Sequence, residues 1–203
     1  MIRSKTRRHF QQANGSAACD SRWQGDTSDP AEVTCLRCKA TWVFRPPHGE
    51  EDRGPLQVDL GCGVNKPEGW IGLDCRDLPG VDIVHDVALL GLPFDDDEVD
   101  ALRAKDFFEH LQETVEIFNE CWRVLKAGGN LTVEVPRFPH VDAVKDPTHV
   151  SFFAVETFTE YLGGPDRLEA EYGMRLWDLI SIQHTEHRIW ATLKPRGKPM
   201  VEA

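Results

Sequence analysis

Leu56-Gln-Val-Asp-Leu-Gly-Cys-Gly63 decides the reading of this chain: a short apolar strand that runs into two glycines one residue apart. Glycines at such a turn let the backbone approach a ligand where a Cβ would collide. The same strand signal recurs downstream in Trp70-Ile-Gly-Leu-Asp74, Val81-Asp-Ile-Val-His-Asp86, Val99-Asp-Ala-Leu-Arg103 and Leu131-Thr-Val-Glu-Val135. Before the last of these, Leu111, Val115, Phe118, Trp122 and Leu125 recur at helical spacing, with Gly128-Gly129 to close the helix. Residues 136–150 read as an irregular loop rich in His and Asp, Phe153 to Leu162 as a short helix, and Met174 to Lys194 as two strands joined near His184–Glu186. The sum is an α/β fold: a Rossmann-like, mostly parallel sheet finished by an antiparallel hairpin.

The 203 residues suit one α/β domain and a small appendage. Residues 1–45 are polar and poor in aliphatics, residues 46–55 form a Pro/Gly/charge linker, and residues 56–203 hold the α/β pattern. Charge follows this division. Residues 1–50 carry a net charge of +3 and residues 51–203 a net charge of −14. The acidic body disfavours broad phosphate binding, and nucleic acid remains open only through the basic N-terminal segment. No apolar run approaches the ~18 residues of a membrane span. Met1 to Phe10 is basic without an apolar stretch after it, so no secretory signal is expected and a cytoplasmic location is.

The glycine turn does not suit a dinucleotide. That fingerprint wants Gly or Ala three residues after the second glycine, and Lys66 stands there. Three acids point elsewhere. Asp59 lies two residues before the first glycine, Asp74 ends the second strand and Asp86 ends the third. Carboxylates at three adjacent strand ends fit an adenosine that carries a cation, although Asp at a strand end also serves as a turn former.

In order, Val58-Asp-Leu-Gly-Cys-Gly63, Gly-Leu-Asp74, Val-His-Asp86, Phe108-Glu-His-Leu111 and Trp122-Arg-Val-Leu-Lys-Ala-Gly-Gly129 resemble the motifs of class I S-adenosylmethionine-dependent methyltransferases. The Asp146-Pro-Thr-His149 segment is similar to that of a small bacterial and phage group, over roughly residues 56–194. The resemblance implies a seven-stranded methyltransferase sheet. It also implies cofactor contacts at Asp59, Gly61, Cys62, Gly63, Asp74, Cys75, Asp86 and Val87, and a cell that is bacterial or phage-infected. One departure stands out: ten residues separate Gly63 from Asp74, too few for a first crossover helix and the second strand. A shortened helix, or a loop over Asn65–Gly69, is expected.

Methyl transfer needs the acceptor aligned and water excluded, and an alcohol or ammonium acceptor also needs a base. His149, Asp146, His110 and His140 are candidates. His149 has the best position, because the resemblance places its loop beside the acceptor; the alternative is a structured turn. Glu109-His110 reads as the start of the long helix, either assisting the acceptor or capping the helix. His140, Asp142, Asp146 and His149 also form a possible metal set. The Asn/Asp-Pro-Pro-aromatic motif of nucleobase amino-methyltransferases is missing at Ala104–Phe108, and there is no Pro-Cys. Both DNA chemistries are thereby disfavoured, and small-molecule, sugar, peptide and RNA acceptors stay open.

Cys35-Leu-Arg-Cys38, with Cys19 and His9, is a candidate structural zinc site, and the segment looks like small zinc ribbons of phage proteins. Nearby Arg7, Arg8, Arg22, Arg37 and Lys39 suit a nucleic acid or a protein partner. The competing function is a non-catalytic module that keeps the methyltransferase fold and uses the ribbon for recognition.

Overall fold

The computed structural model describes residues 9–10, 26–27, 54–165 and 171–198. The chain divides into two units, Met1–Pro47 and His48–Ala203. In the first, β1 (His9–Phe10) pairs in parallel with β2 (Asp26–Thr27). The zinc ligands expected at Cys19, Cys35 and Cys38 lie outside the described residues, as does the side chain of His9.

The second unit is organised by one sheet of β3 (Gln57–Leu60), β4 (Ile71–Asp74), β5 (Ile83–Val84), β6 (Val99–Lys105), β7 (Leu125–Pro136), β8 (Trp177–His184) and β9 (Arg188–Pro195). Their order is β5-β4-β3-β6-β7-β9-β8. β3 to β7 are parallel, and β9 runs antiparallel to both β7 and β8. This is the mostly parallel sheet with a terminal antiparallel hairpin that the sequence implies. Strand order reverses at β3, with β4 and β5 on one side and β6 and β7 on the other, which opens a crevice at the carboxyl ends.

Central parallel strands bury both faces, and β3 shows it: Val58, Asp59 and Leu60 are all at most 1% exposed. β9 alternates, with Ile189, Ala191 and Leu193 inward. Helices are few. α1 (Val87–Leu90) is one turn, α2 (Thr114–Val124) is the long helix, and α3 (Val141–Val144) is again one turn. Phe108–His110 forms a 3-10 turn and Thr157–Leu162 a π-helical segment. α2 packs through Ile117, Phe118, Cys121 and Val124, and Phe118 stacks on Phe108 with ring centroids 4.1 Å apart. No helix among the described residues is long and apolar enough to cross a membrane.

Three expectations about elements need correcting. The helix begins at Thr114, so Glu109 and His110 belong to the separate 3-10 turn before it. Its buried face is 117/118/121/124; Trp122 sits at the margin, with the Lys198 ammonium 4.6 Å and the Arg175 guanidinium 5.1 Å from its ring centroid. Gly128-Gly129 does not close the helix, because β7 starts directly at Leu125. The pair lies in a bulge where the register jumps from Val99↔Leu125 to Ala101↔Asn130, and Gly128 supplies the positive φ of 84°. The link from β3 to β4 has no helix, as its length implies. Its turns are held by Asn65 N donating to Cys62 O (3.2 Å), Trp70 N donating to Pro67 O (3.3 Å), and an ion pair between Lys66 and Asp82.

Candidate active site

Two adjoining clefts occupy the carboxyl edge at the reversal point. One, of about 530 Å³, is lined by Asp74, Cys75, Arg76, His85, Asp86 and Val87 on one side and by Phe107, His110, Leu111 and Thr148 on the other. The second, of about 410 Å³, is lined by Asp59, Cys62, Gly63, Asn65, Arg103 and Lys105. Gly61 and Asp106 line both.

The glycine turn sets their shared wall. Gly61 has φ +63°, and a Cβ there would lie 2.6 Å from Phe107 Cδ2. Gly61→Ala therefore meets both a disfavoured backbone and a packed ring. It should cost about 1–3 kcal/mol of stability by urea denaturation. An unchanged midpoint would show that the turn is not held as described. Gly63, also at positive φ (54°), donates its N–H to Asp74 Oδ2 at 3.0 Å. The Cys62 Sγ lies 2.7 Å from where a Cβ on Gly72 would sit, and burial pushes its thiol pKa up to about 11.

Asp74 is 3% exposed and well satisfied. Besides Gly63, it accepts from Arg76 N (2.9 Å), Nε (3.0 Å) and Nη2 (3.2 Å). Burial alone would raise its pKa, but the hydrogen bonds from the Arg76 side chain and backbone and from Gly63 outweigh it and hold the group ionised. Arg76 itself is largely exposed. Asp86 caps α1 by accepting from Ala88 N at 3.1 Å, so its turn-forming role and its place in the cleft coexist. His85 pairs through Nε2 with Gly91 O (2.8 Å), and burial lowers its pKa, so it stands neutral at the cleft wall.

Asp59 is not a free anion. Arg103 Nη1 bridges both of its oxygens at 2.9 and 2.8 Å from the paired position on β6. Burial still pushes the Asp59 pKa up despite that guanidinium. The second cleft thus holds two acids, Asp59 and Asp106, with two bases, Arg103 and Lys105. Neither base stands out when only strand ends are read. The available signal was chemical: charged side chains near the end of a central parallel strand, where apolar residues belong, need a partner or a ligand. Asp106 carries a second mark, a non-glycine φ of +49°, and it is ion-paired with Arg188.

On the acceptor side, the Asp146-Pro-Thr-His149 segment is a tight turn. Asp146 Oδ1 accepts from Thr148 N (2.8 Å) and Thr148 Oγ1 (2.7 Å), and the Thr148 hydroxyl in turn lies 3.0 Å from His110 Nδ1. Since that hydroxyl proton goes to Asp146, its oxygen accepts from His110 Nδ1–H. His110 is thereby held as the tautomer with a bare Nε2. His149 does not line either cleft. It is nearly buried, its Nδ1 is 3.1 Å from Ala143 O, and its ring meets His110 edge-on at 4.9 Å. Its other nitrogen is 3.9 Å from Asp146 Oδ2. The set His140, Asp142, Asp146 and His149 is split: His140 and Asp142 gather with His187, while His149 gathers with Glu109 and His110.

Similarity to known proteins agrees with this geometry. Among curated proteins, the chain is 34% identical over 133 residues to a protein of Mycolicibacterium smegmatis named "Probable S-adenosylmethionine-dependent methyltransferase", covering 62% of this chain and 51% of that protein. It is 33% identical over 112 residues to trans-aconitate 2-methyltransferase of Rhizobium rhizogenes, covering 46% and 41%. The chain thus spans about half the length of these relatives, or less. Among solved structures, it resembles a [4+2]-cyclase at TM-score 0.53, with 17% identity and coverage of 72% of this chain and 77% of that one. A chain from the "Complex between the Haloferax volcanii Trm112 methyltransferase activator and the putative methyltransferase" aligns at TM-score 0.51, with 15% identity and coverage of 71% and 84%. At such identities these two speak for the fold alone. The described core, from Val58 in β3 to Val133 in β7, matches the family described as "Methyltransferase domain" over residues 58–133.

Proposed function

We propose that the chain transfers a methyl group from S-adenosylmethionine to an oxygen or nitrogen acceptor. The observation that carries this is the pair of clefts joined at Gly61 and Asp106, one suited to a nucleoside and the other to a zwitterion. Asp74, Cys75, Asp86 and Val87 would hold the adenosine. Gly61, Cys62 and Gly63 give backbone access. Asp59 with Asp106 would meet the α-ammonium of the methionine end, and Arg103 with Lys105 its α-carboxylate. When bound, the cofactor supplies an activated methyl group, so this chain's own work is to position the acceptor and exclude water. The methyltransferase names of its sequence relatives favour catalysis over the non-catalytic binding role.

His110, Asp146 and His149 form the acceptor side in this reading, with His110 the member that lines the cleft and Asp146 holding it through Thr148. The likeness to a phage group, the structural zinc at His9, Cys19, Cys35 and Cys38, and a nucleic acid or protein docked by the basic N-terminal segment belong to the same proposal.

Isotope-labelled S-adenosylmethionine supplied with a bacterial extract should yield one labelled acceptor class. His110→Asn should then lower turnover about 10²-fold or more while cofactor affinity by calorimetry stays close to wild type. Equal losses in affinity and turnover would place His110 in the cofactor site instead.

A further inference from the structure

Glu109 is the least satisfied polar side chain near the clefts. It is 2% exposed, and neither carboxylate oxygen has a partner in good hydrogen-bond geometry, its polar neighbour being Asp106, an acid that can pair with it only by sharing a proton. Leaving a buried carboxylate without partners is costly, so a native structure that does so needs a reason. The neighbours suggest one. An oxygen of Glu109 and a ring nitrogen each of His110 and His149 all lie within 4.8 Å of one another.

The geometry points to a divalent metal site formed by Glu109, His110 and His149 at the acceptor end of the cleft, with open positions for an oxygen ligand of the acceptor. Both histidines are set for it. His149 Nδ1 faces the Ala143 carbonyl and His110 Nδ1 faces Thr148, so each ring keeps Nε2 as its bare nitrogen. Ligating histidines characteristically donate their other N–H to a carbonyl or a carboxylate-linked group, which fixes ring and tautomer. Here the chain from Asp146 through Thr148 to His110 is that support. Two imidazoles and one carboxylate suit Zn²⁺ or a similar transition ion rather than Mg²⁺, which prefers oxygen. Bonds of ~2.0–2.1 Å would draw the three atoms to about 3.4 Å apart, so the side chains would have to close in on the ion. Because three protein ligands leave tetrahedral zinc one position free, an acceptor hydroxyl or carboxylate oxygen in the cleft beside His110 can occupy it. The other cluster, His140, Asp142 and His187, lacks this character, since Asp142 is already ion-paired with Lys145.

This assignment deepens the methyltransferase reading by giving the acceptor an anchor, and it is tested without turnover. The chelator-stripped full-length chain is titrated with Zn²⁺ by calorimetry, alongside Glu109→Gln, His149→Asn and the double change Cys35→Ser/Cys38→Ser. One zinc equivalent should persist in the cysteine variant and weaken at least ~10-fold in Glu109→Gln and His149→Asn. Asp146→Asn, which alters the turn that supports His110 and lies beside His149, should weaken it by about 10- to 100-fold. If Glu109→Gln does not fold, His149→Asn carries the result. Zinc uptake unchanged by both Glu109→Gln and His149→Asn overturns the site, as does uptake abolished by the cysteine changes alone. S-adenosylmethionine titrated in chelator separates the two readings: binding there with no such zinc equivalent leaves the methyltransferase and removes the metal, and zinc without cofactor binding does the reverse.

Discussion

Asp74→Ala is expected to weaken S-adenosylmethionine binding by one to two orders of magnitude in calorimetry. A ribose held at the end of β4 would lose its carboxylate acceptor, at about 1–3 kcal/mol for a buried polar group left unpaired. The result needs a control, because Asp74 already receives hydrogen bonds from Arg76 and Gly63. Bound ribose hydroxyls would have to share or displace the largely exposed Arg76 guanidinium. Arg76→Ala should therefore leave cofactor affinity unchanged or raise it. If both substitutions weaken binding equally, Asp74 acts by fixing the loop through Arg76 and does not itself receive the ribose.

The second large effect concerns stability. Burial, reinforced by the neighbouring Asp106 carboxylate, raises the Glu109 pKa to about 7 in the folded chain, with Arg188 opposing. An unfolded glutamate releases its proton near pH ~4.3. Between those values the folded state holds a proton that the unfolded state has lost. The contribution is thus fully present below about pH 4, and it disappears as pH rises through about 7. A shift of this size corresponds to about 3 kcal/mol. Glu109→Gln cannot titrate, so in chelator its stability relative to wild type should rise by about 3 kcal/mol between roughly pH 4 and pH 8, measured by urea denaturation. Parallel pH curves for the two proteins would mean that Glu109 reaches solvent or a partner in the folded state.

Much of the fold is legible in the strands. Leu60, Asp74 and Val135 each sit at or next to the end of the strand in which the sequence places them, because apolar alternation and flanking Gly or Pro are local signals. The end of the long helix is not local in that sense. Gly128-Gly129 carries a helix-stop signature, yet pairing with β6 pulls Leu125 into the sheet and leaves the glycines to absorb a register shift. For the site, the acids at strand ends are readable, and what they touch is not. Arg103 neutralises Asp59 from a strand 44 residues away, and Arg76 occupies Asp74. His149 draws attention by its motif, but its ring stands behind His110. Glu109 lies in the Phe108–Leu111 motif, but its burial is a tertiary property that the motif does not show.

The placement of β9 bears on how the chain is made. β9 is the last of the described strands in sequence, yet it is inserted between β7 and β8, and it gives β7 its second neighbour. During synthesis from the N-terminus, β7 keeps one bare edge, with Leu131, Val133 and Val135 beside it, until Arg188–Pro195 has left the ribosome. β8, though made earlier, pairs among the described residues with β9 alone. An unpaired apolar edge is the feature through which chains join one another. The nascent chain therefore stays open to association along this edge of β7 until β9 pairs with it.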